Sequence, residues 1–113
     1  VENEGFVVKG EDTISFLEEK LDILGLTERE AEEFIVYWLP KLEANKYNYI
    51  RFATIDEINE NMPLEISPNP DTLIRVLMTF KGLESPIDVQ EQKLKTPNRT
   101  GFVAVEWGGT EIK

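Results

Sequence analysis

Residues 25–42, GLTEREAEEFIVYWLPKL, carry the clearest structural signal in the chain. Thr27 and Glu30 have the spacing of a capping box, in which each side chain accepts a hydrogen bond from the other residue's backbone amide. Apolar residues then recur on one helical face: Ala31, Phe34, Ile35, Trp38, Leu39 and Leu42. The stretch predicts an amphipathic helix that starts after Thr27. Pro40 cannot donate a helical hydrogen bond, so we expect a kink or an end there.

A second helix is predicted directly before this one. Asp12 or Thr13 can cap its start, and Gly25 suits the position just beyond its end. Its apolar stripe covers about half of the circumference and consists of Ile14, Phe16, Leu17, Leu21, Ile23 and Leu24. Only Gly25 and Leu26 separate it from the Thr27 cap, so the two helices are expected to form an αα-hairpin.

The other apolar segments predict β-strands. A short run between two glycines, residues 5–10, reads as a first strand or an extended arm. After Leu42 the periodicity becomes strand-like, and four strands are predicted at residues 49–54, 62–67, 73–80 and 102–107. Gly108-Gly109 should stop the last strand. Residues 82–100 should form a long polar loop with at most a short strand near Ile87–Val89.

The register of the central strands is a specific expectation. A turn at residues 68–72 should join strands 62–67 and 73–80 into a hairpin. Alternation then places Glu65 opposite Arg75 as a cross-strand ion pair, with apolar side chains matched on the core face. Pro63 lacks a ladder donor, which places its strand at a sheet edge.

Composition limits the fold and the partners. A length of 113 residues with 41% hydrophobic content suits one globular domain over residues 1–113. The predicted class is α+β, an αα-hairpin packed on a mainly antiparallel sheet of four to five strands. The net charge, 12 − 22 = −10, disfavours binding to nucleic acid or anionic lipid. No apolar run is long enough to span a membrane. Because the chain begins with Val1 and not Met, we expect a piece of a longer protein.

The sequence lacks the residues on which most kinds of catalysis depend. With no cysteine and no histidine, it has no thiol or imidazole for triads, zinc ligation or proton transfer. Phosphate-binding and dinucleotide-binding glycine motifs are also absent. Residues 56–61 suggest calcium, but they place Ile58, Glu60 and Asn61 where that loop requires oxygen ligands and glycine. We therefore assign no catalytic, cofactor-binding or metal-binding residue and no cofactor, and leave the ligand-binding residues open.

Some carboxylates and aromatic residues remain candidates. Glu65 and Glu106 lie inside predicted strands and are the acids that a histidine-free hydrolase would use, although alternation points both outward. Trp38 is expected in the core, and Trp107 is expected to be more exposed. The exposed aromatics Tyr47, Tyr49 and Trp107 either stack on a sugar or peptide or cap the core. Residues 98–100, Asn-Arg-Thr, match a glycosylation acceptor, a pattern that is common by chance.

Five ordered blocks of the chain resemble a known bacterial family. They are residues 5–13, 25–27, 33–40, 70–76 and 105–109. Together they resemble the C-terminal segment of a family of unknown function, in which a β-rich segment containing Lys-Pro-Val-Ile-Tyr-Leu-Tyr-Pro usually comes first, often behind a secretion or lipoprotein signal. The resemblance implies a secreted or envelope location and an N-terminal partner domain. It identifies no functional residue.

Three functions follow as expectations. The first is a non-enzymatic binding or structural module of a bacterial secreted or envelope protein, with a protein or glycan ligand. The second is a carboxylate-dependent hydrolase acting on glycans, which needs two acids roughly 5–10 Å apart in a cleft. The third is a domain that only packs against its N-terminal neighbour.

Overall fold

The computed structural model describes residues 4–113 and confirms the α+β class. The helices of these residues are α1 Thr13–Ile23, α2 Glu28–Glu43 and α3 Ile55–Asn61, with a short 3-10 turn, Gly10–Asp12, before α1. The strands are β1 Glu4–Lys9, β2 Tyr47–Phe52, β3 Thr72–Leu83, β4 Gln90–Glu91 and β5 Val103–Glu111.

The five strands form one mixed sheet in the order β4-β1-β2-β3-β5. The consecutive strands β1, β2 and β3 are antiparallel neighbours, while β4 and β5 run parallel to β1 and β3. The ladder between β3 and β5 extends from Thr72 opposite Val103 to Phe80 opposite Glu111. Each side of β3 is therefore paired, on one side with β2 and on the other with β5.

The predicted αα-hairpin is present, and its connection is tightly specified. Gly25 has φ +98°, a conformation that glycine adopts without penalty. Its amide donates to the Asp22 carbonyl and the Leu26 amide donates to the Leu21 carbonyl, each at 3.0 Å, which is a Schellman motif. Both bonds of the Thr27–Glu30 capping box are formed, at 2.8 and 3.2 Å.

Helix α2 continues through Pro40 to Glu43, so the expectation of an end at Pro40 was wrong. The helical bond that proline removes would have joined its nitrogen to the Val36 carbonyl. Val36 and Pro40 both lie on the exposed side of α2, where water can satisfy that carbonyl. The loss is therefore small enough for the buried face to hold the helix together.

The hydrophobic core lies between the helical hairpin and one face of the sheet. Alternate residues of β1, β2 and β3 point into it: Phe6, Val8, Ile50, Phe52, Ile74, Val76, Met78 and Phe80. They meet Leu17, Leu21, Phe34, Trp38 and Leu42 from the helices. Trp38 is 7% exposed, which confirms its predicted place in the core. Each large side chain buried here stabilises the fold by about 1.5–3 kcal/mol.

The opposite face of the sheet carries α3 and the irregular segment 62–71. A second capping box starts α3, since the Thr54 amide donates to Glu57 at 2.8 Å and the Glu57 amide donates to Thr54 at 3.1 Å. Arg51 points away from the helical hairpin and binds both carboxylate oxygens of Glu57, at 3.1 and 3.2 Å. Ile58 of α3 is 2% exposed and lies outside the main core cluster.

The predicted strand at residues 62–67, and the hairpin built on it, are wrong. Pro63, Pro68 and Pro70 supply no amide donors for a ladder. The side of β3 on which this strand would have paired is occupied by β5. Met62 and Leu64 are exposed instead of facing the core. The register that was expected for this hairpin fails with it.

The last strand and the long loop differ from expectation at their ends. Strand β5 runs through Gly108-Gly109, which were expected to stop it. A side chain at Gly109 would begin 2.8 Å from Cζ2 of Trp38, so glycine lets the strand pass beside the indole. In the loop, the short strand expected near Ile87–Val89 is present as β4, which lies directly after it at Gln90–Glu91. The next side chain, Gln92, bonds the amide and the carbonyl of Phe52, each at 2.9 Å, as a strand would.

Candidate functional site

Strand β5 forms one edge of the sheet, and no other described strand lies on its outer side. It has nine residues, a length of about 30 Å at roughly 3.3 Å per residue. The opposite edge is the two-residue β4. The long edge therefore offers much more backbone to a partner than the short one does.

The hydrogen bonds of β5 alternate between β3 and the outside. In a parallel pair, both backbone groups of a residue point to the same side, and the next residue points to the other side. The Phe102 carbonyl accepts from the Thr72 amide at 3.1 Å, and the Ile112 amide donates to the Phe80 carbonyl at 2.7 Å. Even-numbered residues therefore bond to β3. The odd-numbered residues direct their amides and carbonyls outward: Val103, Val105, Trp107, Gly109 and Glu111.

Apolar side chains border this edge on the helical side. Val103, Val105 and Trp107 are half-buried and pack against the core. The Trp107 ring centroid is 5.3 Å from that of Phe34 and 5.8 Å from that of Tyr37, and Tyr37 is 59% exposed. Trp107 is thus more exposed than Trp38, as predicted. A strand laid along β5 would contact an apolar rim.

An ion pair borders the edge on the other side of the sheet. Arg75 of β3 and Glu106 of β5 are register partners, and Nε of Arg75 donates to Oε1 of Glu106 at 2.6 Å. Arg75 also donates to the Met62 carbonyl, which fastens the segment after α3 to the sheet. The predicted pair between Glu65 and Arg75 is therefore wrong. Its physical reason is that β5, not residues 62–67, lies beside β3.

Several of the devices that usually protect edge strands are missing from β5. Its sequence contains no proline and no lysine, and its register with β3 has no bulge. The only charged residues on the strand are Glu106 and Glu111. Such an edge is open to pairing with another extended segment.

The indole of Trp38 leaves one donor unsatisfied beside this strand. Its Nε1 is buried and has no acceptor among the described residues. Cε2, the carbon bonded to that nitrogen, lies 3.0 Å from where a Gly109 side chain would begin. An unmade bond of this kind costs about 1–3 kcal/mol. Tight packing against Tyr37 and Phe80 holds the ring there despite that cost.

The loop that leads into β5 is tied to the start of α2. Arg99 donates to both oxygens of Glu30, at 2.8 and 3.3 Å, and to the Gly25 carbonyl at 2.8 Å. Burial alone raises the pKa of Glu30, but the bonds from Arg99 and Thr27 outweigh it and hold the pKa below its ordinary value. The middle residue of the chance-level match to a glycosylation acceptor, residues 98–100, thus has a structural role.

The candidate catalytic acids are not placed as a catalytic pair. Glu65 is exposed and is the single carboxylate that lines a shallow depression with Ile66, Ser67 and Asn69. Glu106 is engaged by Arg75. A second shallow depression, beside the C-terminus of α2, is lined by both acids and lysines: Lys9, Glu11, Glu43, Ala44, Asn45, Lys46 and Tyr47.

The remaining residues that the sequence suggested for ligand or metal binding lie within strands and helices. Tyr47 and Tyr49 are half-buried in β2, and the Tyr49 hydroxyl donates to the Glu4 carbonyl at 2.7 Å. Residues 56–61, which superficially suggested calcium, lie in α3. Within residues 4–113, no group of three acidic side chains is arranged to hold a metal ion, and no helix is long and apolar enough to cross a membrane.

Comparisons with protein-family models, curated proteins and solved structures find no match to this chain. The free edge of β5 is the feature that sequence reasoning missed. Its alternating pattern at residues 102–107 predicted a strand. Which strand ends the sheet depends on long-range pairing, for which the local sequence has no signal.

Proposed function

We propose that the chain is a non-enzymatic binding or structural module of a bacterial secreted or envelope protein, and that β5 is its binding edge. The observation that carries the binding role is the row of outward backbone groups on the odd-numbered residues of β5. The bacterial origin and the secreted or envelope location rest on the family resemblance alone.

Strand addition fits this edge better than binding in a pocket. An added strand receives its affinity from main-chain hydrogen bonds and its specificity from alternate side chains. The partner's amides and carbonyls would meet those of Val103, Val105 and Trp107, while its side chains would contact the apolar rim beside Tyr37. The two depressions described above are shallow and open to solvent, so neither competes as a ligand pocket.

The other two functions have less support. A glycan hydrolase needs a second acid converging on Glu65 or Glu106, but Glu106 is bound to Arg75 and the Glu65 depression has no other carboxylate. An extended segment of an N-terminal neighbour in the same protein could also add to the edge of β5. That neighbour is therefore a proposed partner alongside a separate protein.

A peptide selection tests the binding role. A random library of extended peptides is selected on the domain, and the binders are measured again on Val105→Pro. This substitution removes an outward amide and leaves the even-numbered bonds to β3 intact, which is the position at which an edge strand tolerates proline. Val105→Ala is the matched control, because it removes the side chain and keeps the amide.

Binders that lose affinity for Val105→Pro by about tenfold or more, but keep it for Val105→Ala, support strand addition. Binders that are equally tight on the three proteins would place the site elsewhere. Circular dichroism of each variant verifies that the fold is retained.

A further inference from the structure

We infer that the segment added to β5 is an extended, amphipathic strand of a partner protein, with apolar side chains toward the helices and basic side chains toward Glu106. This inference rests on the proposed function, because it specifies the occupant of the same edge. It follows from the different chemistry of the two sides of β5.

On the side of β5 away from the helices, the exposed charge favours a cation on the added strand. Arg75 is only 4% exposed, whereas its partner Glu106 is 40% exposed, so the surface presents the carboxylate and hides the guanidinium. Only Oε1 of Glu106 is occupied by Arg75. A lysine or arginine on an added strand would lie across from Glu106 and form a favourable cross-strand pair.

On the helical side of β5, the surface favours apolar side chains on the added strand. Val105 and Trp107 are half-buried there, and the exposed ring of Tyr37 continues the same surface. Successive residues of a strand point to opposite sides. An occupant that meets both sides must therefore alternate apolar residues with polar ones over about nine positions to match the length of β5, with a basic residue beside Glu106.

Net charge favours this partner over a second copy of the chain. Two copies would each bring a charge of −10 to the interface. If two β5 strands paired antiparallel about Trp107, Glu106 of each copy would lie opposite Gly108 of the other. The two Glu106 carboxylates would then be diagonal neighbours on one face, an unfavourable arrangement. A basic segment would instead be attracted by the same negative charges.

Designed peptides test the inference. The basic probe alternates lysine and valine over nine residues, the acidic probe replaces each lysine by glutamate, and a third replaces the central valine of the basic probe by proline. Binding is measured by Trp fluorescence and by calorimetry at low and high salt. We expect the basic probe to bind at least about tenfold more tightly than the acidic probe, with a difference that shrinks in high salt.

Variants locate the charges that cause the preference. Glu106→Gln should reduce the advantage of the basic probe and leave the acidic probe no weaker. Glu111 has an odd-numbered position on the helical side, where the probe presents valines, so Glu111→Gln is the matched control and should reduce the advantage less. Val105→Pro should remove binding of the basic probe, and Val105→Ala should retain it. Thermal melts of each variant show that the fold is kept.

The outcomes separate this inference from the proposed function. Equal affinities for the basic and acidic probes, both lost in Val105→Pro, would overturn the basic partner and keep the binding edge. Affinity that does not respond to Val105→Pro would overturn both. Absence of binding by every probe would overturn the inference, and dimerisation that is lost in Val105→Pro would assign the edge to a second copy.

Discussion

The two faces of the sheet are held by different kinds of interaction. The face under the helices is an apolar core with aromatic contacts among Phe34, Trp38, Phe80 and Trp107. The opposite face carries several polar bonds between side chains and from a side chain to the backbone. They are the Arg51–Glu57 pair, the Arg75–Glu106 pair and the bond from Arg75 to the Met62 carbonyl. Ile58 of α3 is also buried on this face.

This difference teaches where the stability of the domain lies. Burial of apolar area is the dominant favourable term in folding, whereas exposed ion pairs contribute about 0–1 kcal/mol each. We therefore expect the helical face to set the global stability. The segment after α3 should open locally at a lower free energy than the whole domain unfolds.

The largest expected effect is on the helical face. Trp38→Ala should lower the free energy of unfolding by about 3–5 kcal/mol, because it leaves a large cavity beneath β5. Trp38→Phe should cost less, since it keeps most of the ring and removes the unsatisfied Nε1 donor. Urea denaturation measures both. A loss below about 1 kcal/mol in Trp38→Ala would show that the indole is not a core residue.

The next largest loss of stability is expected on the opposite face, when Arg75 is replaced. Arg75→Met should cost about 2 kcal/mol, less than for a fully buried pair, because the partner Glu106 is partly solvated. Amide exchange should rise near Met62, whose carbonyl loses its donor. Glu106→Gln keeps an acceptor and should affect this segment less. Unchanged exchange near Met62 in Arg75→Met would contradict the fastening role.

The two capping boxes allow the two faces of the sheet to be compared through the same substitution, threonine to alanine. Thr27→Ala removes the cap of α2 and should lower the free energy of unfolding by about 1 kcal/mol. Thr54→Ala removes the equivalent cap of α3 and should change global stability less, because α3 packs on the weaker face. Urea midpoints of the two variants decide the order, and a larger loss in Thr54→Ala would reverse our comparison of the faces.

The smallest expected effect is on pH dependence. The Thr54 amide bond lowers the pKa of Glu57; burial opposes this and the bond from Arg51 adds to it, so the folded pKa lies below the ordinary value of 4.5. Its stabilisation is therefore complete above about pH 4.5 and is lost as the pH falls through the folded pKa. Glu57→Gln should show a smaller loss of stability than the parent protein between neutral and acidic pH. Parallel urea titrations measure this, and equal losses would contradict it.

The sequence predicted the helical face well because its signals are local. The Thr27–Glu30 box, the Gly25 terminus and the apolar stripes each act within a few residues. The box, the terminus and the buried stripe of α2 are all observed, whereas Ile14 of the stripe predicted for α1 is exposed. The same box at Thr54–Glu57 was overlooked, because Thr54 was assigned to the end of a strand at residues 49–54.

The candidate site was not predictable in the same way. Arg75 could pair with Glu65 or with Glu106, and the choice depends on which distant segment lies beside β3. The parallel pairing of β3 with β5 joins residues about thirty positions apart, and no local pattern specifies it. The free edge follows from that pairing, so it could be recognised only from the topology.

The most direct test of the binding edge is residue-resolved amide exchange along β5, measured by NMR with and without the basic probe. Without the probe, the amides of Val105, Trp107 and Gly109 should exchange quickly, and those of Ala104, Glu106 and Gly108 should be protected by β3. With the probe, the odd-numbered amides should become protected as well. Odd-numbered amides that are already protected in the free protein, or that stay unprotected when the probe is bound, would contradict strand addition at β5.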